Sequence, residues 1–358
     1  MEYSLLIKPV SCDCNLRCRY CFYLEKSRLF GGGPHRMSDE TLEAMVKEYL
    51  SCHQTTHVFC WQGGEPLLAG LDFYRRAVEL MKRHGGAGVN VGNVIQTNGT
   101  LLDDEWASFL KEYNFLVGVS IDGPEAVHNA FRTHSNGSGS YGETVHGVEC
   151  LMRHDVPVNS LTVVNRFSAE RPLEIYRHLR DVLGMTHHQY IEETFGELAV
   201  TAEQWGRFLC AVFDEWVEND VGKVSVRLFD SIINRMLGGA PDCCSMRREC
   251  SSYLVVEHDG SVYPCDFHVL PEWRLGRIGR TSMETMLSSP CARRFARLKQ
   301  TEKQCRGCQF APYCAGDCPR NRNRNISVLC EGIKMFLSQA LPRLRKLCET
   351  FEKNVTSS

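Results

Sequence analysis

The sequence predicts an α/β fold of parallel β/α units, followed by a small cysteine-rich region. Three observations carry this. Apolar runs of strand length alternate with amphipathic stretches of helix length over about 190 residues, the pattern of β/α crossovers and a parallel sheet. Loops of glycine and polar residues recur just after the strand-like runs, where β/α barrels build their sites. Nineteen cysteines occur in the 358 residues, many of them in the last third.

Strands are predicted at 3–9, 57–61, 91–96, 115–121, 157–164 and 188–192, and helices at 38–51, 72–84, 103–112, 142–154 and 171–183. Leu5-Leu6-Ile7 forms the apolar centre of the first strand. Ser38 before Asp39-Glu40-Thr41 starts the first helix, and Asp103-Asp104-Glu105 starts the third, with acids at the positive end of the helix dipole. A cysteine loop follows the first strand. Gly63-Gly64-Glu65-Pro66 follows the second, Gln96-Thr97-Asn98-Gly99-Thr100 the third and Ser120-Ile121-Asp122-Gly123-Pro124 the fourth. Each alone reads as an ordinary turn. Together, at the same end of successive strands, they converge on one pocket, where glycine lets backbone approach a ligand. Six units suit an open barrel or a doubly wound sheet, and periodicity does not separate these.

A net charge of −2 and a pI near 6.7 give no reason to expect nucleic acid as a partner. Met1-Glu2-Tyr3 runs straight into a strand, without the basic flank and cleavage site of a signal peptide. No apolar stretch approaches membrane-span length, so no membrane partner is expected. Many cysteines without a secretory signal point to metal or cluster ligation in a reducing, cytoplasmic setting.

Cys14, Cys18 and Cys21 form a C-x3-C-x2-C run with Tyr20 before the last. Four cysteines fully ligate a 4Fe–4S cluster, so three leave one iron open to a non-protein ligand. Chance alone produces this spacing in about one chain in twenty of this composition. The alternatives on spacing are a zinc loop or plain buried thiols. Cys12 stands at the wrong step and reads as a bystander. Cys244, Cys250, Cys265, Cys305, Cys308, Cys314, Cys318 and Cys330 make a second group, with a C-x2-C-x5-C-x3-C core from Cys305 to Cys318. Eight thiolates make two complete four-cysteine sets, although such spacing also suits structural zinc. Cys243 competes with its neighbour Cys244. Cys52, Cys60, Cys150, Cys210, Cys291 and Cys348 read as small core or surface residues.

These residues resemble the radical S-adenosylmethionine (SAM) superfamily, and closely its anaerobic sulfatase-maturating branch. The resemblance is carried by Lys8-Pro9, Cys14 to Tyr23, Trp61-Gln62-Gly63-Gly64-Glu65-Pro66-Leu67, Gln96 to Thr100, Ser120 to Pro124, His128 and Arg132, Asp259 to Phe267 and the C-terminal cysteines. It implies a partial (β/α)6 TIM-type barrel over 1–235, a SPASM auxiliary iron–sulfur domain over 236–335, and a C-terminal helix and tail over 336–358. It implies SAM and three 4Fe–4S clusters as cofactors. Tyr20, Gly64, Glu65, Ser120 and Arg132 are implied SAM contacts. The ammonium would go to the Glu65 carboxylate or to glycine-turn carbonyls, and the SAM carboxylate to Arg132. One auxiliary cluster falls to Cys244, Cys250, Cys265 and Cys318, the other to Cys305, Cys308, Cys314 and Cys330.

The resemblance also assigns Asp266 as a general base, where the residue alone suggests a turn aspartate. The implied reaction begins with reductive cleavage of SAM to a 5′-deoxyadenosyl radical. The radical takes hydrogen from Cβ of a cysteine or serine in an unfolded sulfatase, Asp266 takes the proton, and the auxiliary clusters take the electron. The product is Cα-formylglycine. A flavodoxin or ferredoxin is the implied electron donor. Maturation of another peptide, for example by thioether formation, and a non-catalytic metal scaffold are the alternatives. The chain departs from the family at Glu192-Glu193-Thr194-Phe195-Gly196, where an apolar segment with proline is expected. These acids are expected to be a solvated loop, or to bind a basic residue of the peptide. His128 and His258 read as structural, and His187-His188 as candidates to line a groove.

Overall fold

The computed structural model describes residues 2–301 and 303–356. Met1 of the N-terminal reading, and Ser357 and Ser358 of the expected tail, lie outside the described residues. The strands are β1 (Ser4–Lys8), β2 (Thr56–Trp61), β3 (Asn90–Thr97), β4 (Leu116–Ser120), β5 (Val158–Val164), β6 (His187–Glu192), β7 (Ser225–Val226), β8 (Tyr253–Glu257), β9 (Ser261–Tyr263) and β10 (Gly276–Arg277). The six strands and five helices predicted are all present. The fifth helix, Pro172–Arg177, continues as a π-helical turn over His178–Val182.

The chain divides into two compact units. The first comprises residues up to Ser120, His128–Val158 and Glu249–Leu298; the second comprises Ile121–Val127, Asn159–Arg248 and the chain from Lys299 onward. In the first unit β1, β2, β3 and β4 pair in parallel in that order. β1 also pairs in parallel with β8, from Ser4 opposite Tyr253 to Lys8 opposite Glu257. β9 and β10 extend this edge in antiparallel. Alternate side chains supply the core: Leu5 and Ile7, Phe59 and Trp61, Val117 and Val119 are fully buried, each contributing roughly 1.5–3 kcal/mol. Ser38 Oγ accepts from Thr41 N and caps the helix Asp39–Leu50, and Asp103 Oδ1 caps Asp104–Glu112 through Trp106 N (2.9 Å). These local caps start the helices where the sequence marks them.

In the second unit β5, β6 and β7 pair in parallel. The helix Ala202–Asn219 opens with a capping box between Thr201 and Gln204. It packs on the C-terminal helix Cys330–Thr356 through Gly206 and Gly332, where an added Cβ on Gly206 would lie 2.8 Å from the Gly332 Cα. Phe213, Phe229 and Phe336 fill the space beside them. Among the described residues no helix is long and apolar enough to cross a membrane.

Candidate active site

Beyond β1 the chain turns sharply, Ser11 N donating to Lys8 O (3.2 Å) and Asp13 N to Val10 O (3.0 Å). The glycine turn after β2 docks on this bend. Gly64 N donates to Ser11 O and Glu65 N to Asp13 O, both at 2.7 Å. A Cβ on Gly64 would overlap the Asp13 carbonyl, so the approach requires glycine. On the other side Arg17 N donates to Thr133 O (2.7 Å) and Arg19 N to Phe131 O (3.0 Å). Backbone bonds therefore grip the loop carrying Cys14, Cys18 and Cys21 from both sides. Cys14 Sγ accepts from Leu16 N (3.4 Å) and Asn98 Nδ2 (3.7 Å). Burial pushes the Cys14 thiol up to about 12, with Glu65, Cys18 and Cys21 adding to the rise. Such thiols ionise against a bound cation, and N–H donors then favour the thiolate. The loop fits an iron–sulfur cluster.

Glu65 is fully buried. Its carboxylate accepts from Leu67 N (3.0 Å), Thr97 Oγ1 (2.7 Å) and Asn98 N (2.7 Å). Burial pushes its pKa up to about 7 against these three bonds. The carboxylate thus braces the loops after β2 and β3. The Arg132 guanidinium is buried and stands 5.4 Å from the Tyr20 ring centroid, and Tyr20 also meets Phe131. Ser120 Oγ accepts from Gln96 Nε2 (3.0 Å).

Asp266 follows β9, its side chain 13% exposed. Oδ1 accepts from Phe267 N (3.1 Å) and lies 3.5 Å from the Tyr253 hydroxyl. Oδ2 lies 3.9 Å from the Nζ of Lys8, which is 1% exposed. Lys8 also stands 4.4 Å from the Tyr23 ring centroid, and the Tyr23 hydroxyl donates to Glu257. Burial draws the Lys8 ammonium toward neutrality, while Asp266 and Glu257 oppose this. Sequence reasoning quoted Lys8 and Tyr23 but assigned them no role, and passed over Glu257. The available signal was a charged residue closing each of the apolar runs Leu5-Leu6-Ile7 and Leu254-Val255-Val256.

Of the auxiliary cysteines, Cys250 and Cys265 lie in the first unit and the other six in the second. Burial pushes Cys318 up to about 12, with smaller contributions that include Cys244. Burial likewise raises Cys314 to about 11, with Cys330 contributing, and Cys330 in turn feels Cys305 and Cys308. Cys305, Cys308, Cys314 and Cys330 thus lie in one neighbourhood of the second unit, and four thiols are chemically suited to an iron–sulfur cluster. Cys243 Sγ accepts from Ser231 Oγ (3.3 Å).

Two expectations are corrected. Glu192 and Glu193 are not a solvated pair. Glu192 accepts from Asn321 Nδ2 (2.7 Å), and Glu193 is buried and accepts from Phe195 N (2.8 Å). Burial raises the pKa of both. Thr194 completes the tie by donating to Asn321 Oδ1 (2.9 Å). His188 lines no groove. It is a core residue whose Nε2 meets Met185 O (2.8 Å). His128 is structural as expected, fully buried and bonded to Ser140 Oγ (3.0 Å).

The radical SAM superfamily profile matches residues 9–179, and an iron–sulfur cluster-binding domain profile matches 244–309. The chain is 38% identical to the serine-type anaerobic sulfatase-maturating enzyme of Bacteroides thetaiotaomicron, over 94% of this chain and 89% of that protein. It is 36% identical to the cysteine-type enzyme of Clostridium perfringens, over 95% of this chain and 97% of that protein. The solved structure of native anSMEcpe with bound AdoMet and Cp18Cys peptide matches with a TM-score of 0.91 at 34% identity, over 98% of this chain and 100% of that one.

Proposed function

We propose a function from the premise that this chain belongs to the radical SAM superfamily and, within it, to the anaerobic sulfatase-maturating enzymes. It oxidises a cysteine or serine residue of a sulfatase polypeptide to Cα-formylglycine. The observation that carries this reading is one compact unit holding both the three-thiol loop and a partly buried aspartate restrained at both oxygens. Bound SAM and the clusters supply the radical that takes the Cβ hydrogen atom and the route for the departing electron.

The chain's own residues do the rest. Cys14, Cys18 and Cys21 would hold the cluster with the open iron, and the eight later cysteines would hold the two auxiliary clusters. The Glu65 carboxylate is engaged by its own loops, so the backbone carbonyls of the Gly63-Gly64 turn would accept from the ammonium of bound SAM. Arg132 would pair with the SAM carboxylate, with Tyr20 and Ser120 as further SAM contacts. Asp266 takes the proton from the substrate thiol or hydroxyl as its Cβ hydrogen is lost. Removal of one hydrogen atom, one proton and one electron leaves a C=S or C=O bond, and water exchanges the sulfur in the cysteine case. A flavodoxin or ferredoxin provides the reducing electron. A chain rich in free thiols works in a reducing cytoplasm.

The test is an anaerobic assay of the reconstituted chain with SAM, dithionite and peptides bearing Cys-x-Pro-x-Arg or Ser-x-Ala-x-Arg cores. Mass spectrometry is expected to show oxygen replacing sulfur in the cysteine peptide, and a hydrazide probe to trap the aldehyde in either. Two-hydrogen loss with sulfur retained would identify a thioether-forming enzyme instead. Asp266→Ala is expected to keep about twelve irons per chain and to lower peptide oxidation by about 10²–10⁴-fold.

A further inference from the structure

Lys8 stands where three parts of the first unit meet. Its backbone closes β1 opposite Glu257 of β8. Its stem lies under the glycine turn, where a Cβ added to Gly63 would lie 3.3 Å from Lys8 Cδ. Its ammonium reaches Asp266 Oδ2. We propose that Lys8 is the positioning residue for Asp266, and that Glu257 and Tyr23 hold Lys8 in turn. This rests on the reading of Asp266 as the group that receives the substrate proton.

A buried ammonium is stable only against an opposing charge. Glu257, directly across the strand pair, would suffice for a purely structural pairing. One of its oxygens instead accepts from the Tyr23 hydroxyl, while the Tyr23 ring lies against the lysine head. Tyr23 and Glu257 therefore form a bonded pair beside the ammonium, while its ion pair is with Asp266. Asp266 Oδ1 is restrained by Phe267 N and the Tyr253 hydroxyl. Lys8 restrains Oδ2, at 3.9 Å. This fixes the carboxylate plane without a tight bond that would occupy the oxygen. Because the stem also supports the Gly63-Gly64 turn, one side chain sets the proton acceptor in register with the SAM-binding loop. Misplacement of such a group by about 1 Å costs about 10²-fold in rate.

The test compares reconstituted wild type, Lys8→Met and Lys8→Arg on the cysteine-core peptide. Three readouts are taken: iron content, the SAM-induced change in the cluster's electron paramagnetic resonance, and formylglycine formed per deoxyadenosine released. A merely structural role would lower both products together and leave their ratio alone. The expected result is a ratio lowered at least about tenfold in Lys8→Met, with an intermediate value in Lys8→Arg, which keeps the charge on a longer head. A wild-type ratio in Lys8→Met overturns the proposal. If Lys8→Met loses its iron, Lys8→Arg decides alone: a lowered ratio supports the proposal and an unchanged one overturns it. Wild type that makes deoxyadenosine but no formylglycine would instead overturn the proposed function, and this inference with it.

Discussion

The loop bearing Cys14, Cys18 and Cys21 is tied by backbone bonds to distant loops, whereas the segment from Cys305 to Cys330 closes on itself through local turns and is braced by buried side chains. The first hangs from β1 and is gripped by amide bonds to the glycine turn and to Phe131 and Thr133. The second has a one-turn helix, Ala311–Cys314, short turns and a hairpin of two-residue strands, with Ala315, Asp317, Arg324 and Asn325 all at positive φ. Here Lys299 Nζ donates to Ser245 O (2.6 Å) and to Asp317 O, and Arg322 Nε donates to Gly316 O (2.7 Å). Asp317 Oδ2 accepts from Ser327 Oγ (2.7 Å) and Asn321 Nδ2 (3.2 Å). The first loop is therefore expected to keep its shape without its cluster, and the turn-rich segment to draw more of its order from the metal.

The largest expected effect separates cluster from scaffold in the first region. Replacing Cys14, Cys18 and Cys21 together by alanine should abolish deoxyadenosine formation. Iron should fall from about twelve to about eight per chain with helix content unchanged by circular dichroism; a variant that still makes deoxyadenosine at the wild-type rate would break the account of the open iron. Next comes Gly64→Ala, whose Cβ meets the Asp13 carbonyl. It should displace the loop backbone and cost the same four irons while all cysteines remain, which an iron assay reads directly. Lys299→Met acts on the other region. It leaves the half-buried Ser245 carbonyl without this donor, at about 1–3 kcal/mol, while Asp317 O keeps Arg322 Nη2 (2.9 Å), and should lower the thermal midpoint and the auxiliary-cluster absorbance while SAM cleavage persists.

The smallest effect concerns a core residue outside both regions. Burial holds His188 down to about 4 against an ordinary 6.5, so the unfolded chain binds more protons between these values. Stability should therefore fall as pH drops from about 6.5 toward 4, by at most about 3 kcal/mol from this residue. Denaturant midpoints of His188→Gln across that window should show a shallower slope than wild type.

Much of the site was readable along the chain. The cysteine spacings, the Gly63-Gly64 turn and the resemblance they carry lie in short contiguous stretches. The side-chain roles were less so. Glu65 read as a SAM acceptor, and the chain order did not show that Thr97 and Asn98 from the next strand's loop also donate to its carboxylate. Glu192 and Glu193 looked solvated because Asn321, which binds Glu192, lies far along the sequence.

What the sequence by itself determined was the set of six parallel units, the helix starts at Ser38 and Asp103, and the thiol loop after the first strand. Periodicity, capping and ligand spacing are properties of neighbouring residues. Only the tertiary structure decided that β8 lies beside β1, that Glu257 therefore faces Lys8, and that Asp266 comes within an ion-pair distance of a buried lysine. Such pairings form when distant segments share one sheet, and the free energy that selects them comes from burying the sheet as a whole.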